Sequence, residues 1–388
     1  MPPRRDTIIC GVPTTTNLQC LLIADDLTGA CDAAVHFARR GYRTHVRLDG
    51  HGEETSVLAI SAESRDLSAA DLRRVMDGLA QRLSADRTRI LFKKIDSTLR
   101  GNVGAEIAAA LTAFGCEAAV ITPAYPAMGR TVEGGYLRVE PAAWFEPIDL
   151  PARLRSQGLE ACAHVQPGAV SAAIEAGSRF ISVDATCDRD LDTIAAEALG
   201  SGKRILWAGS AGLASALART LPWGGPLVLG PPLGTAPWTP SPVLFCIGSD
   251  HPVTVEQQRH LMAHRAALSL SAETAAPQSI VSALRRGEHV VLNLPVRETS
   301  VERVRQLVGN AAGAAGALAL SGGDTASLVC RALSVSRIQL ADEIVAGIPW
   351  GYVSGGAFDR SRVATKSGGF GAPHALIQVA DFFTCPKP

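Results

Sequence analysis

The sequence predicts an α/β protein made of two α/β domains, each with a mostly parallel sheet flanked by helices. Three observations carry that expectation. Short apolar runs alternate with stretches of helical periodicity through both halves of the chain, a Pro/Gly-rich segment separates the halves, and polar, Gly-rich residues gather just after the apolar runs.

In the first half, the apolar run 18–24 precedes a helical pattern from Gly29 to Arg40 that Gly41 stops. The alternation returns with a strand at 57–61 and a helix near 69–84, then a strand at 90–95 and a helix near 104–114. Strands at 118–122 and 180–185 follow, and a strand at 204–208 opens into a helix near 211–220. Between Leu221 and Pro242 half of the residues are Pro or Gly and no periodicity survives, which predicts a linker. The domains are therefore expected at 18–220 and 243–388. In the second half, strands at 243–248, 289–294 and 317–321 alternate with helices near 254–265, 301–310 and 325–334. Closure of the two domains about the linker would exclude water from a site between them.

Composition narrows the function classes. With 37 basic and 37 acidic residues, no net field attracts a polyanion, which argues against nucleic acid or an anionic membrane surface as the main partner. The nine cysteines are scattered, with no C-x-x-C, so neither a disulfide framework nor a zinc cage is indicated and a reducing cytoplasm fits. Met1 to Asn17 lacks the apolar core of a signal peptide, and no run approaches the ~20 apolar residues of a membrane span. The expected partners are small molecules, and a homo-oligomer is compatible with this composition.

In open α/β sheets ligands bind at the carboxyl ends of strands. Asp25 and Asp26 follow the first strand. Adjacent carboxylates there repel unless a cation or a donor-rich ligand compensates, so sugar hydroxyls or Mg²⁺ suit them better than the single Asp of a helix cap. The segment from Lys93 to Asn102 holds two of the chain's five lysines together with Asp96, Ser97, Thr98 and Arg100, and runs into a helix N-terminus, an arrangement suited to a carboxylate ligand. Arg130, in a loop shaped by Pro123, Pro126 and Gly129, offers a two-pronged contact to a carboxylate.

In the second half, Ser321-Gly322-Gly323-Asp324-Thr325 follows a strand and opens a helix, which is how backbone amides come to surround phosphate oxygens. A second Gly-rich loop, Lys366-Ser367-Gly368-Gly369-Phe370-Gly371, adds a cation suited to a triphosphate, and Ser249 follows the strand at 243–248. No G-x-x-x-x-G-K-[ST] and no G-x-G-x-x-G after a strand is present, so neither a P-loop nor a typical dinucleotide fold is supported.

The runs ADDLTGACDAA, KKIDSTLRGNVGAE, PAYPAMGRTVEGGYLRV, AGSAGLASAL, SGGDTASLV and TKSGGFG, in this order from about residue 20 to 372, resemble the four-carbon acid sugar kinase family. The resemblance implies an N-terminal domain that binds the acid sugar and a C-terminal domain that binds ATP. The implied product is a sugar-acid 4-phosphate made from threonate, erythronate or an oxo-tetronate, with ATP and Mg²⁺ as cofactors. Carried over by motif, Asp25, Asp26, Lys94, Asp96, Ser97, Asn102 and Arg130 would surround the sugar. Ser249, Gly322, Gly323, Asp324, Thr325, Lys366 and Gly368 would surround the nucleotide. Asp25 or Asp26 is the expected hydroxyl-orienting carboxylate. Where the family has a Gly-Ser-Cys-Ser-like stretch this chain has Gly248-Ser249-Asp250-His251, and its segment 140–150 is shorter than the family pattern. An NAD-dependent sugar-acid dehydrogenase and a non-catalytic ligand-binding regulator are the alternatives, the first disfavoured by the missing dinucleotide fingerprint.

Overall fold

The computed structural model describes residues 18–48, 55–83, 88–140, 145–222 and 240–385. In the first half, β1 (Cys20–Ala24) leads into α1 (Leu27–Ala38), followed by β2 (Thr44–Arg47), β3 (Val57–Ser61), α2 (Ala69–Arg82), β4 (Ile90–Lys94), α3 (Val103–Ala113) and β5 (Ala118–Thr122). A small antiparallel sheet of β6 (Arg130–Glu133), β7 (Tyr136–Val139) and β8 (Ile148–Asp149) interrupts the alternation. It resumes with α4 (Leu150–Ser156), β9 (Cys162–Val165), α5 (Val170–Glu175), β10 (Phe180–Val183), α6 (Asp188–Gly200), β11 (Ile205–Gly209) and α7 (Ala211–Thr220).

The second half begins with β12 (Val243–Ile247), α8 (Pro252–His264), β13 (Ala267–Ser271), α9 (Pro277–Arg285), β14 (His289–Asn293) and α10 (Val301–Val304), which continues into a π turn over 305–309. Then come β15 (Ala317–Ser321), α11 (Gly323–Ala332), the hairpin of β16 (Arg337–Val345) and β17 (Ile348–Ser354), β18 (Arg362–Lys366) and α12 (Ala375–Thr384).

The main strands form one sheet in the order β13-β14-β12-β15-β18-β17-β16-β2-β3-β1-β4-β11-β5-β10-β9. From β2 to β9 every pairing is parallel, as are those from β13 to β18. Strands such as β1, β4, β5 and β12 are buried along their whole length, which is what their unbroken apolar runs require of parallel strands covered on both faces. The two α/β units read from the sequence are thus the two parallel wings of one sheet.

What joins the wings was not read. The β16–β17 hairpin turns through Gly347, whose φ of 77° suits a residue without a Cβ. The hairpin pairs antiparallel with β18 on one side, and on the other Arg337 to Gln339 of β16 pair antiparallel with His45 to Arg47 of β2. A single apolar core runs from Leu18 and Leu22 in the first wing to Leu244, Leu320 and Val363 in the second. A second cluster, with Phe245, Trp350 and Phe383, lies under α12. A backbone ladder and a shared core therefore connect the two wings, in addition to the expected linker. Residues 223–239 of the expected linker lie outside the described residues.

Candidate active site

Helix α1 starts directly after β1 because Asp26 caps it: Asp26 Oδ1 accepts from the Gly29 amide at 2.5 Å and from Thr28 Oγ1 at 3.2 Å. Asp25 and Asp26 are both buried. The cation that compensates them is Arg65, in the loop after β3. Its Nε and Nη2 donate to Asp25 Oδ2 at 2.8 and 2.7 Å, Nη2 also reaches Asp26 Oδ2 at 2.7 Å, and Asp96 Oδ2 lies 3.6 Å away. Because β3, β1 and β4 are neighbours in the sheet, their carboxyl ends bring three carboxylates to one guanidinium.

Asp96 is further held by Arg100, whose Nε and Nη2 donate at 2.9 and 2.6 Å, and by the amide and hydroxyl of Thr98 at 2.8 and 2.5 Å. Burial alone would raise its pKa, but Arg100, Arg65 and Thr98 outweigh it and hold the carboxyl well below the usual carboxylate range. For Arg65, burial opposes the charge, and Asp26, Asp25 and Asp96 more than restore it. Ser97 is buried beside Asp96, whereas Asn102 stands at the exposed rim and donates Nδ2 to the Leu67 carbonyl at 3.0 Å. Lys94 is buried and donates to the Ile95 carbonyl at 2.8 Å, and a Cβ placed on Gly29 would come within 3.4 Å of its Nζ.

On the second wing, β15 and β18 are parallel neighbours with Ser321 opposite Lys366, which sets the two Gly-rich loops side by side. Gly322, at φ 103°, donates its amide to the Lys366 carbonyl at 2.9 Å and precedes α11. Asp324 is exposed in the first turn of α11, while Thr325 is buried. Ser249 meets the second loop so closely that a Cβ on Gly368 would come 2.2 Å from its Oγ.

Lys366 is held within its own loop. Its ammonium is buried and donates to Thr254 Oγ1 at 3.2 Å and to the carbonyls of Ser367, Gly368 and Phe370 at 2.9, 3.1 and 3.3 Å. Burial pushes its pKa down to about 7. It ties the loop to α8. Gln257 does the same work at the loop's end, donating to the carbonyls of Phe370, Gly371 and Ala372.

The two groups of residues meet at a seam. Thr28 Oγ1 lies 3.2 Å from Ser367 Oγ, and a Cβ on Gly323 would fall 2.4 Å from Asp26 Oδ2. Arg130, bonded to the Met128 carbonyl, stacks over Phe370 at 5.0 Å from the ring centre. A fixed carboxylate thus faces the first turn of a helix whose free N–H groups are suited to phosphate, a combination that serves phosphoryl transfer. Arg65, Thr28 and Ser367 are the members of this seam that sequence reasoning missed.

Comparison with known proteins bears on this arrangement. A model of a sugar-binding N-terminal domain matches residues 20–217, and one of a nucleotide-binding C-terminal domain matches residues 293–376. The chain is 35% identical to the D-threonate kinase of Bordetella bronchiseptica, covering 92% of this chain and 96% of that one. The chain belongs to the four-carbon acid sugar kinase family. It is also 29% identical to the D-erythronate kinase of Heliobacterium modesticaldum (93% and 96% covered) and 28% identical to a 3-oxo-tetronate kinase of Cupriavidus necator (90% and 94% covered). A solved structure from Salmonella typhimurium LT2 shares the fold, with a TM-score of 0.71 at 21% identity, covering 93% of this chain and 98% of that one.

As a family member the protein is a sugar-acid kinase, a phosphotransferase that uses ATP; the dehydrogenase and regulator alternatives are not favoured. The sugar-binding match contains Asp25, Asp26, Arg65, Lys94, Asp96, Ser97, Asn102 and Arg130. The nucleotide-binding match contains Gly322 to Thr325, Lys366 and Gly368, and Ser249 lies outside it. Among the described residues, no helix is long and apolar enough to cross a membrane.

Proposed function

We propose that the protein transfers the γ-phosphoryl group of ATP to the terminal hydroxyl of threonate, erythronate or an oxo-tetronate, giving the sugar-acid 4-phosphate. The observation that carries this reading is the contact between Asp26 and the first residue of α11, which brings a carboxylate from the sugar-binding half against the phosphate-binding half. Phosphoryl transfer asks a protein chiefly to align two substrates and to compensate charge on the phosphoryl oxygens. In this reading Asp26 orients the attacking hydroxyl and accepts its proton. Lys94 and Arg130 bind the sugar carboxylate, Asp96, Ser97 and Asn102 complete the pocket, and the amides of Gly323, Asp324 and Thr325, with Gly322 shaping the turn and Ser249 and Gly368 beside it, cradle the phosphates. Lys366 serves by holding the shape of its loop.

Among the described residues, no three His, Cys, Asp or Glu side chains are grouped to hold a metal ion. The residues fit a nucleotide-bound Mg²⁺: the buried Oδ1 of Asp25, which has no hydrogen-bond partner among the described residues, would be suited to hold it. When bound it would neutralise charge on the phosphates.

The test is ADP release by the purified enzyme with D-threonate, D-erythronate and 3-oxo-tetronate in turn, with phosphorus NMR of the product. A phosphomonoester on the terminal carbon from at least one of them is expected. ADP release that is independent of every acid sugar would overturn the reading.

A further inference from the structure

Helix α1 is buried along its whole length, yet it carries a polar stripe. Thr28, Asp32 and His36 are each four residues apart, so they share one face. The outer two have partners. Thr28 reaches Asp26 and Ser367, and His36 Nε2 lies 3.4 Å from Tyr125 Oη. Asp32, between them, is 2% exposed and its Oδ1 has no hydrogen-bond partner among the described residues.

A buried carboxylate oxygen left unsatisfied is costly, and such groups in native proteins call for an explanation. Packing alone does not supply one, since Ala30, Ala33 and Ala34 fill neighbouring positions of the same helix without any polar atom. The helix face in question looks into the acid-sugar side of the seam: a Cβ on Gly29, one turn before Asp32, would come 3.4 Å from Lys94 Nζ and 3.6 Å from Asp25 Oδ1. The charged and titratable groups that act on Asp32 are Lys94 from β4, Glu343 from β16, Asp26 ahead of α1, Arg130 from β6 and Tyr125. Two of these, Lys94 and Arg130, are the cations assigned above to the sugar carboxylate.

An acid sugar presents a carboxylate flanked by hydroxyls. Cations suit the carboxylate, but each hydroxyl also needs an acceptor for its proton. We propose that Asp32 is a substrate-binding residue of this site, accepting a hydrogen bond from a hydroxyl of the acid sugar through Oδ1. The inference rests on the function proposed above and adds to it a residue that reads the hydroxyls. Burial, opposed by Lys94 and Arg130 and assisted by Glu343 and Asp26, raises the Asp32 carboxyl to about 7, so acceptance of the hydroxyl strengthens as pH rises through neutrality.

The test compares wild type, Asp32→Ala and Asp32→Asn on D-threonate and D-erythronate and on singly deoxygenated analogues of each, with ATP binding followed by calorimetry. In Asp32→Ala the KM of the preferred acid sugar is expected to rise roughly tenfold to a hundredfold, with ATP affinity unchanged within about twofold. Wild type should lose a similar factor with the one analogue that lacks the recognised hydroxyl, and Asp32→Ala should no longer distinguish that analogue from its parent. Asp32→Asn, which keeps an acceptor oxygen and the side-chain shape, should fall between the two and supplies the comparison if Ala does not fold. A KM within about twofold of wild type in the variants, or a preference for the hydroxyl that survives in Asp32→Ala, would overturn the inference while leaving the kinase reading intact. Failure of wild type to phosphorylate any acid sugar would instead remove the proposed function, and this inference with it.

Discussion

Asp26 and Gly323 are separated by almost three hundred residues of sequence, yet the Asp26 carboxylate occupies the space that a side chain at 323 would need. A Cβ there would come 2.4 Å from Oδ2 and 2.7 Å from Cγ. Asp26 is in no position to give way, being pinned by the Gly29 amide and by Arg65.

Gly323→Ala should therefore disturb both halves of the site and not the nucleotide side alone, as the loop's glycines by themselves suggest. Overpacking of this kind costs about 1–3 kcal/mol. Turnover should fall by about tenfold or more along with a lowered melting temperature. Unchanged kcat and stability would mean that α11 and the loop after β1 stand apart in solution.

Arg65 is the second place where a single change should be felt. Arg65→Ala leaves Asp25, Asp26 and Asp96 crowded without their shared cation. Breaking a fully buried pair costs about 3–5 kcal/mol; with the Arg65 side chain 25% exposed, a loss of about 2 kcal/mol in urea unfolding is expected. Arg65→Lys, which cannot serve two carboxylates with a planar fork, should recover only part of it. A loss below about 0.5 kcal/mol would place Arg65 among ordinary surface charges.

Asp96 supplies a pH dependence of definite sign. Its carboxyl is held below the ordinary value of 3.8, so its ionised form stabilises the fold above that pH and the contribution is lost as pH falls below it. Asp96→Asn should be less stable than wild type at neutral pH, and the gap should narrow as the medium is acidified below about pH 4. Thermal melts of both proteins across that range decide it. A gap that stays constant would show that Arg100 and Arg65 do not act on Asp96 through its charge.

Much of this site could be read from strand ends. Asp25, Asp26, Lys94 and Asp96 stand directly after apolar runs, and the parallel order of β3, β1 and β4 gathers them. Arg65 escaped notice because nothing local marks it: it lies in the polar stretch 61–68, and its partners follow from which strands become neighbours. Asp32 was hidden for a related reason, since one acidic residue in a helical pattern reads as a solvated face until the helix proves to be buried all round. Lys366 was visible but its direction was not, because the carbonyls that capture it belong to a loop conformation no spacing rule specifies. The sheet's continuity was equally illegible: it depends on β16 meeting β2, a pairing between segments nearly three hundred residues apart.

The central claim, that phosphoryl transfer occurs where Asp26 meets α11, is tested most directly by Asp26→Asn. The variant keeps the shape of the side chain while removing the charge proposed to orient the attacking hydroxyl and accept its proton. ADP formation should be followed with a saturating acid sugar that wild type phosphorylates, and ATP affinity measured by calorimetry on the same preparation. The account predicts a fall in kcat of about a hundredfold or more with ATP affinity retained within a few fold. A folded Asp26→Asn that turns over at the wild-type rate would contradict it.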